Sequence, residues 1–248
     1  MSKRKAKERK FKKEPKIFMF MASWNGKIAI GQVNTFWHWF RNHDIHTNTT
    51  NHMVPLDYAR NWAIYAFLKT DCTHFLGLDD DIVPGKDSLK QLLDLKKDCV
   101  APLMFTTKPD PVRHNPLPVP VPIVYEKSNS KQRYRVKMGL NGAHLEEVDL
   151  LPGGMFLLSR RAIEKARKPL FKYKYDRNGY LIGGTDCVMS ERLKEAGFKI
   201  YVHRGIVVEQ WIDIGAKALN DTMLRYCPMN IEKRIEEISS KSGVIKDG

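Results

Sequence analysis

A short apolar run that ends in three consecutive acids constrains this chain more than any other feature. Residues 75–78 read Phe-Leu-Gly-Leu, and Asp79, Asp80 and Asp81 follow directly. The run has the length of a buried strand. Three adjacent carboxylates repel one another, so their joint ionisation is unfavourable unless a cation lies beside them. Hard divalent ions prefer such oxygen ligands. The sequence therefore predicts a cation-binding strand end, with a solvated acidic turn before a helix as the alternative.

The order of elements around this run is that of an α/β sheet. Apolar runs at 16–22 and 99–105 read as further buried strands, and the patterns at 54–69 and 86–97 predict helices. Strands that alternate with helices are typical of a parallel sheet, whose ligands bind beyond the carboxyl ends of the strands. We therefore predict one Rossmann-like α/β domain with a central mixed, mostly parallel sheet.

Several segments carry more local expectations. The aromatic residues between 36 and 40 suit a helix packed on the sheet, and we expect them in the core. Residues 47–51 read as a polar linker. Six prolines between 106 and 122 exclude a helix and disfavour a central strand, which predicts an extended loop. A hairpin at 123–138 and a strand at 144–150 should follow.

Charge is concentrated at the N-terminus. The net charge is +14, and residues 1–16 hold nine Lys and Arg against two Glu. Such an arm suits a phosphate backbone, although a disordered solubilising tail is the alternative. We expect a basic arm at 1–15, a folded domain at 16–212 and a helical extension at 213–248. No apolar run reaches the ~20 residues of a membrane span, and no signal peptide is evident, which predicts a cytoplasmic protein with reduced cysteines.

Two glycine pairs lie beside further candidate site residues. Pro152-Gly153-Gly154 leads into an apolar run, and Gly183-Gly184-Thr185-Asp186 opens a predicted helix at 187–196. Paired glycines allow close approach of the backbone to a ligand, but a plain turn is equally consistent with them. Thr or Asp before a helix is also an ordinary N-cap.

In their order along the chain, these segments resemble the glycosyltransferases of the GT-A fold, particularly the small family-2-like proteins of bacteriophages. The likeness covers residues 16–211 and rests on the first strand, LDYARN at 56–61, FLGLDDDIVP at 75–84, PGGMFLLSRR at 152–161 and GTDCVMSERLKEAGF at 184–198. It implies a GT-A-like domain that transfers a sugar from a nucleotide-diphosphate sugar to an acceptor hydroxyl, with Mn²⁺ or Mg²⁺ as cofactor. In a phage, the cytoplasm would be that of the host.

The resemblance also implies roles for individual residues. Asp186 matches the acid that serves as the base in inverting members, although Thr185 stands where another acid usually precedes it. Asp79 and Asp81 would bind the metal. The family's downstream His is replaced by Gln210, so the third metal ligand is left open between Glu209, His203 and water. The implied donor-binding residues are Ser23, Arg60, Asn61, Asp79, Asp80, Gly153 and Gly154. Arg192, which matches an Arg of the family, Gln210 and Trp211 are further candidate site residues.

Alternatives exist for both the reaction and the acceptor. The acidic run also fits the D-x-D-x-V pattern of haloacid dehalogenase-type phosphatases, with Asp79 as nucleophile and Asp81 as acid/base. A non-enzymatic, basic nucleic-acid-binding protein is a further alternative. For a glycosyltransferase, the basic arm favours double-stranded DNA with a hydroxymethylated base as acceptor. A polysaccharide, lipid-linked sugar or protein is the other acceptor hypothesis.

Overall fold

The structure is a computed structural model that describes residues 14–23, 28, 30–51, 55–110, 115–122, 125–127, 134–136, 144–206 and 208–210. The expected basic arm, up to residue 13, lies outside the described residues, as do Trp211 and the expected helical extension. The helices are α1 (Ile30–Asn42), α2 (Leu56–Leu68), α3 (Ser88–Asp94), α4 (Arg160–Lys165) and α5 (Thr185–Glu195).

Fifteen strands are defined among the described residues. They are β1 (Lys16–Ser23), β2 (Asp44–Asn51), β3 (His74–Asp79), β4 (Ile82–Pro84), β5 (Cys99–Pro102), β6 (Phe105–Asp110), β7 (Asn115–Pro122), β8 (Tyr125–Lys127), β9 (Tyr134–Val136), β10 (Leu145–Val148), β11 (Met155–Ser159), β12 (Lys174–Tyr175), β13 (Leu181–Gly183), β14 (Ile200–His203) and β15 (Val208–Gln210).

Seven strands form the central sheet, in the order β10-β14-β5-β11-β3-β1-β2. Strand β1 pairs in parallel with β2 and β3, and β14 pairs in parallel with β5. Strand β11 lies between these two groups and is antiparallel to both β3 and β5, so all five strands run in one direction. Strand β10 is antiparallel to β14. The predicted α/β fold with a mixed, mostly parallel sheet is therefore confirmed.

Helices cover both faces of the sheet. On one face, Phe18, Phe20 and Phe75 pack with the buried side of α2 and with α4 and α5. On the other face, Ile17 and Leu76 pack with α1 and α3. Successive strand residues point to opposite faces, so a strand that is covered on both sides must be apolar at almost every position. This explains the near-continuous apolar character of β1 and β3.

Three local expectations were wrong or only partly right. The residues expected as a polar linker, 47–51, belong to β2, which forms the open edge of the sheet beside β1 and can therefore carry polar side chains. The proline-rich segment contains β6 and β7, which pair in a two-stranded sheet rather than forming a loop. Trp39 and Phe36 are buried as expected, but Trp37 and Phe40 are 68% and 46% exposed because they lie away from the buried face of α1.

The remaining strands form small two-stranded sheets: β4 with β15, β12 with β13, and the expected hairpin of β8 and β9. The chain divides into two compact units. One consists of residues 1–106 and 121–211 and contains the central sheet; the described part of the other is drawn from the β6 and β7 segment between 107 and 120. None of the helices that the structure describes has both the length and the apolar character needed to span a membrane.

Candidate active site

The acidic run lies at the carboxyl end of β3, as the sequence predicts. Asp79 pairs with Ala22 of β1, and its backbone N–H donates to the Gly154 carbonyl at 2.8 Å. Gln32 of α1, which is fully buried, donates to the carbonyls of Ile82 at 2.7 Å and Asp79 at 3.3 Å. These bonds satisfy the two backbone carbonyls that flank Asp80 and Asp81, and they hold the turn in one position.

Arg60 of α2 joins three segments that are distant in sequence. Its guanidinium donates to Asp79 Oδ1 at 2.7 Å, to Thr185 Oγ1 at 2.8 Å and to the Gly153 carbonyl at 3.0 Å. The rings of Phe156 and Phe171 lie 6.0 and 5.6 Å from its central carbon. An arginine that is almost fully buried requires such partners, because a desolvated charge is costly unless it is paired.

Burial raises the pKa of the Asp79 carboxyl above its ordinary value, although the adjacent Arg60 guanidinium opposes the shift. The neighbouring carboxylates of Asp81 and Asp80 add to the rise. Burial first, and the neighbouring acids second, therefore disfavour a negative charge on Asp79. A divalent cation would remove that penalty.

The start of α5 forms the opposite wall of the site. Its N-cap is Gly184, which makes no side-chain capping bond, and the Thr185 hydroxyl is used by Arg60. The alternative in which Thr185 or Asp186 is an ordinary N-cap is therefore not what the structure shows. Asp186 occupies the first turn, and its Oδ1 accepts a hydrogen bond from the Cys187 N–H at 3.0 Å.

Ser190 fixes this turn of α5 to the first glycine pair. Its hydroxyl donates to the Asp186 carbonyl at 2.7 Å and accepts from the Leu151 N–H at 2.9 Å. Ser190 is fully buried. One side chain therefore fixes the position of the start of α5 relative to the segment before Gly153.

A cleft of about 330 Å³ opens between these walls. It lies at the ligand-binding edge of the sheet, where the parallel strands end. It brings together Asp79, Asp81, Arg60, both glycines of the first pair and Asp186, which the sequence analysis had selected separately. The lining residues are Leu56, Arg60, Asp79, Asp81, Ile82, Met104, Gly153, Gly154, Tyr173, Gly184, Thr185 and Asp186.

Tyr173 and Gln32 are site residues that sequence reasoning missed. Burial raises the pKa of the Tyr173 phenol, and Asp57 and Asp186 contribute to the rise while Arg60 opposes it. Tyr173 reaches the cleft because Asn61 binds the backbone of Phe171 through both ends of its amide, at 2.7 and 3.0 Å. The local pattern around Tyr173 carries no signal for this position, whereas a glutamine on the buried face of α1 is an anomaly that could have been noticed.

Other selected residues lie away from the cleft lining. Asn61 holds Phe171 and does not line the cleft, and Ser23 is buried one residue beyond the partner of Asp79. The Arg192 guanidinium contains a buried nitrogen, Nη1, that has no hydrogen-bond partner among the described residues. Asp80, between the two cleft acids, is not among the lining residues.

The third metal ligand is not identified by the geometry. His203 ends β14 and stacks on His144 with ring centroids 6.1 Å apart. Burial lowers the pKa of its imidazole, and His144 adds to the shift. Glu209 pairs with Val83 and has an exposed side chain, while Gln210 lies opposite Ile82, next to Asp81 in the chain.

A divalent ion nevertheless fits the donors present in the cleft. Within the described ranges, one group places three His, Cys, Asp or Glu ligand atoms within 4.8 Å of one another, and it consists of His46, Asp71 and Cys72. That group precedes β3 and is not the acidic turn. Mg²⁺ and Mn²⁺ do not need three protein ligands, because one or two carboxylates with substrate phosphates and water suffice. Asp79 and Asp81 supply two carboxyl groups to the cleft and meet this requirement.

Comparisons with known proteins agree with the fold. No family model matches the chain, and no curated protein matches it in sequence. The structure of A197 from STIV is similar, with a TM-score of 0.51, 17% identity, and coverage of 80% of this chain and 86% of that chain. The structure of GalNAc-T7 with UDP, GalNAc and Mn²⁺ is similar over 81% of this chain and 44% of that chain, with a TM-score of 0.50 and 12% identity. At these identities the likeness establishes a GT-A-like α/β fold.

Proposed function

We propose that the chain is a glycosyltransferase that moves a sugar from a nucleotide-diphosphate sugar to an acceptor hydroxyl. One observation carries the proposal: Arg60 binds Asp79, Gly153 and Thr185 at once, so that the acidic turn and Asp186 face one cleft. We assign the catalytic domain to residues 16–212, with a basic arm at 1–15 and a C-terminal extension at 213–248.

The residues of the cleft have different roles in this reaction. Asp79 and Asp81 would hold Mn²⁺ or Mg²⁺, which when bound stabilises negative charge on the diphosphate leaving group. Arg60 fixes the direction of the Asp79 carboxylate through its hydrogen bond to Oδ1. Gly154 is needed for packing, because a Cβ there would lie 2.3 Å from Met104 Cε, whereas a Cβ at Gly153 would meet Asp186 and Arg60 at 3.4 and 3.5 Å. The third ligand of the metal would be Glu209, His203 or water.

Asp186 is the base in this proposal. It accepts the proton of the acceptor hydroxyl as the acceptor oxygen bonds to the sugar's anomeric carbon, and the bond from that carbon to the diphosphate oxygen breaks. A base must be ionised and fixed in direction. The Cys187 N–H donates to Asp186 Oδ1 at 3.0 Å, which orients the carboxyl group, and Ser190 holds the turn against Leu151.

The pairing of Asp79 with Arg60 is also compatible with the phosphatase alternative, because one free carboxylate oxygen is enough for a nucleophile. One oxygen of Asp79 accepts a hydrogen bond from Arg60 at 2.7 Å. The same contact suits a group whose task is to help bind a cation and a diphosphate.

For the acceptor, we propose double-stranded DNA that carries a hydroxylated base. The support is the net charge of +14 and the concentration of Lys and Arg at the N-terminus. Positive charge supplies non-specific affinity for DNA. A polysaccharide, lipid-linked sugar or protein acceptor is the alternative that the experiment below separates.

The test is release of nucleoside diphosphate from a panel of nucleotide sugars with Mn²⁺ or Mg²⁺, with and without hydroxymethylated duplex DNA. Asp81→Asn should abolish the metal-dependent release, and Asp186→Asn should remove only the increase caused by the acceptor. Asp80→Asn should have a smaller effect than Asp81→Asn, because Asp80 does not line the cleft. Asp94→Asn, an exposed acid on α3, is the control for loss of one negative charge.

The outcomes separate the two levels of the proposal. Metal-dependent release that DNA does not increase would retain the reaction and reject the DNA acceptor. Donors left intact by the wild type, with no binding of any nucleotide sugar, would contradict the glycosyltransferase and favour the non-enzymatic nucleic-acid-binding alternative.

A further inference from the structure

A second concave surface lies at the opposite edge of the central sheet from the cleft. The cleft is formed where β3 and β5 end and β11 begins, whereas this groove lies where β5 and β14 begin and β11 ends. The groove has a volume of about 450 Å³. Five of its ten lining residues are cationic: Lys96, Lys97, Arg161, Lys165 and Lys199.

The positive charge of the groove is only partly neutralised. Asp98 is the one acid in its lining, and it is bound by Arg161, with Nε at 3.2 Å from Oδ1. Lys199 pairs with Glu147 at 2.8 Å, but both side chains are more than half exposed, so the pairing is weak. No ion pair among the described residues involves Lys96 or Lys165.

Lys96 occupies an unusual backbone position. Its φ is 51°, in the left-handed region, just after the end of α3. This position favours glycine, which has no Cβ to clash. Gly197, in the same groove, has the corresponding position after α5, with a φ of 85°. The ends of α3 and α5 thus have similar backbone conformations. The end of α5 has glycine there, whereas the end of α3 has Lys96, although glycine would be less strained.

The surroundings favour nucleic acid over a membrane surface. Membrane binding at an interface requires protruding apolar side chains. The large exposed apolar residues of the described chain, such as Trp37 and Tyr180, are not groove residues. The two aromatic residues of the groove are covered by cations, since Arg161 lies 5.7 Å from the Phe198 ring and Lys97 lies 4.5 Å from the Tyr201 ring.

We propose that this groove binds the phosphate backbone of nucleic acid without regard to base sequence. Mobile lysine ammonium groups act as point charges for phosphates, whereas base-specific recognition relies on planar, bidentate side chains. The proposal goes beyond the proposed function, because the groove is separated from the cleft by the length of the sheet. It neither requires turnover nor depends on the N-terminal arm.

The experiment measures binding of the full chain to a fluorescent, mixed-sequence duplex DNA as a function of salt concentration. The groove variant is Lys96→Gly with Lys165→Gln, and the control variant is Lys69→Gln with Lys90→Gln, which removes the same formal charge elsewhere. Loss of two phosphate contacts should lower the slope of log K against log salt by about 2 in the groove variant. The control should keep the wild-type slope.

Lys96→Gly should not destabilise the fold, because glycine suits the backbone at this position. The groove variant should therefore unfold at a temperature no lower than the control, and nucleoside diphosphate release in the absence of DNA should remain at the wild-type level. Equal slopes for the groove variant and the wild type would overturn the proposal, as would equal losses in both variants. Loss of binding to phosphatidylserine vesicles with duplex binding intact would instead assign the groove to a membrane.

Discussion

Replacing Arg60 with methionine should lower the free energy of unfolding by about 3 kcal/mol. Methionine keeps most of the volume between Phe156 and Phe171 but removes all three hydrogen bonds. Breaking a buried ion pair by removing one partner costs ~3–5 kcal/mol, and the 31% exposure of the Asp79 side chain reduces this to about 2. Loss of the donor to the buried Thr185 hydroxyl adds about 1 kcal/mol.

A double-mutant cycle with Asp79→Asn isolates the ion pair. We expect a coupling energy of about 1–2 kcal/mol, because the asparagine no longer leaves a negative charge without its partner. The assay is chemical denaturation at pH 7, followed by tryptophan fluorescence. Arg161→Met, which breaks the pair between the exposed Arg161 and Asp98, is the control and should cost clearly less than Arg60→Met. A loss in Arg60→Met no larger than in this control, or zero coupling, would refute the reasoning.

Three further predictions concern packing, reactivity and positioning. A Cβ at Gly77 would lie 2.2 Å from the ring of Phe156, so Gly77→Ala should lower the free energy of unfolding by about 1–3 kcal/mol in chemical denaturation. Burial raises the pKa of the Cys187 thiol to about 11, so alkylation of Cys187, followed by peptide mass spectrometry, should be slow at pH 8 and accelerate as the pH rises towards 10. Ser190→Ala removes the acceptor of the buried Leu151 N–H and should cost about 1–3 kcal/mol and reduce nucleotide-sugar turnover.

Each of these predictions has a matched comparison. Gly183→Ala places its Cβ 3.4 Å from the Lys174 side chain, an ordinary contact, and should leave stability nearly unchanged. Alkylation of Cys187 at pH 8 as fast as that of a free peptide thiol would contradict the raised pKa. Ser190→Thr retains the hydroxyl, so it should recover turnover relative to Ser190→Ala if the hydrogen bonds position α5.

Much of the candidate site could be selected from the sequence because its residues belong to short segments with strong local patterns. A buried strand that ends in Asp79 and Asp81, and a glycine pair before Asp186, are visible without coordinates. The wrong expectations arose where the local pattern depends on distant context. Residues 47–51 are polar because β2 is an edge strand, and the sequence of that segment does not state which strand will lie beside it.

The sequence by itself determined the alternation of strands and helices, since apolar periodicity is a local property that burial on one or both sides of a sheet requires. Only the tertiary structure decided that β11 inserts antiparallel between β3 and β5, which brings Gly154 beside Asp79. It also decided that Arg60 meets Thr185, 125 residues away. The physical reason is that strand pairing and the partner of a buried charge depend on the packing of the whole chain, and local sequence does not encode that packing.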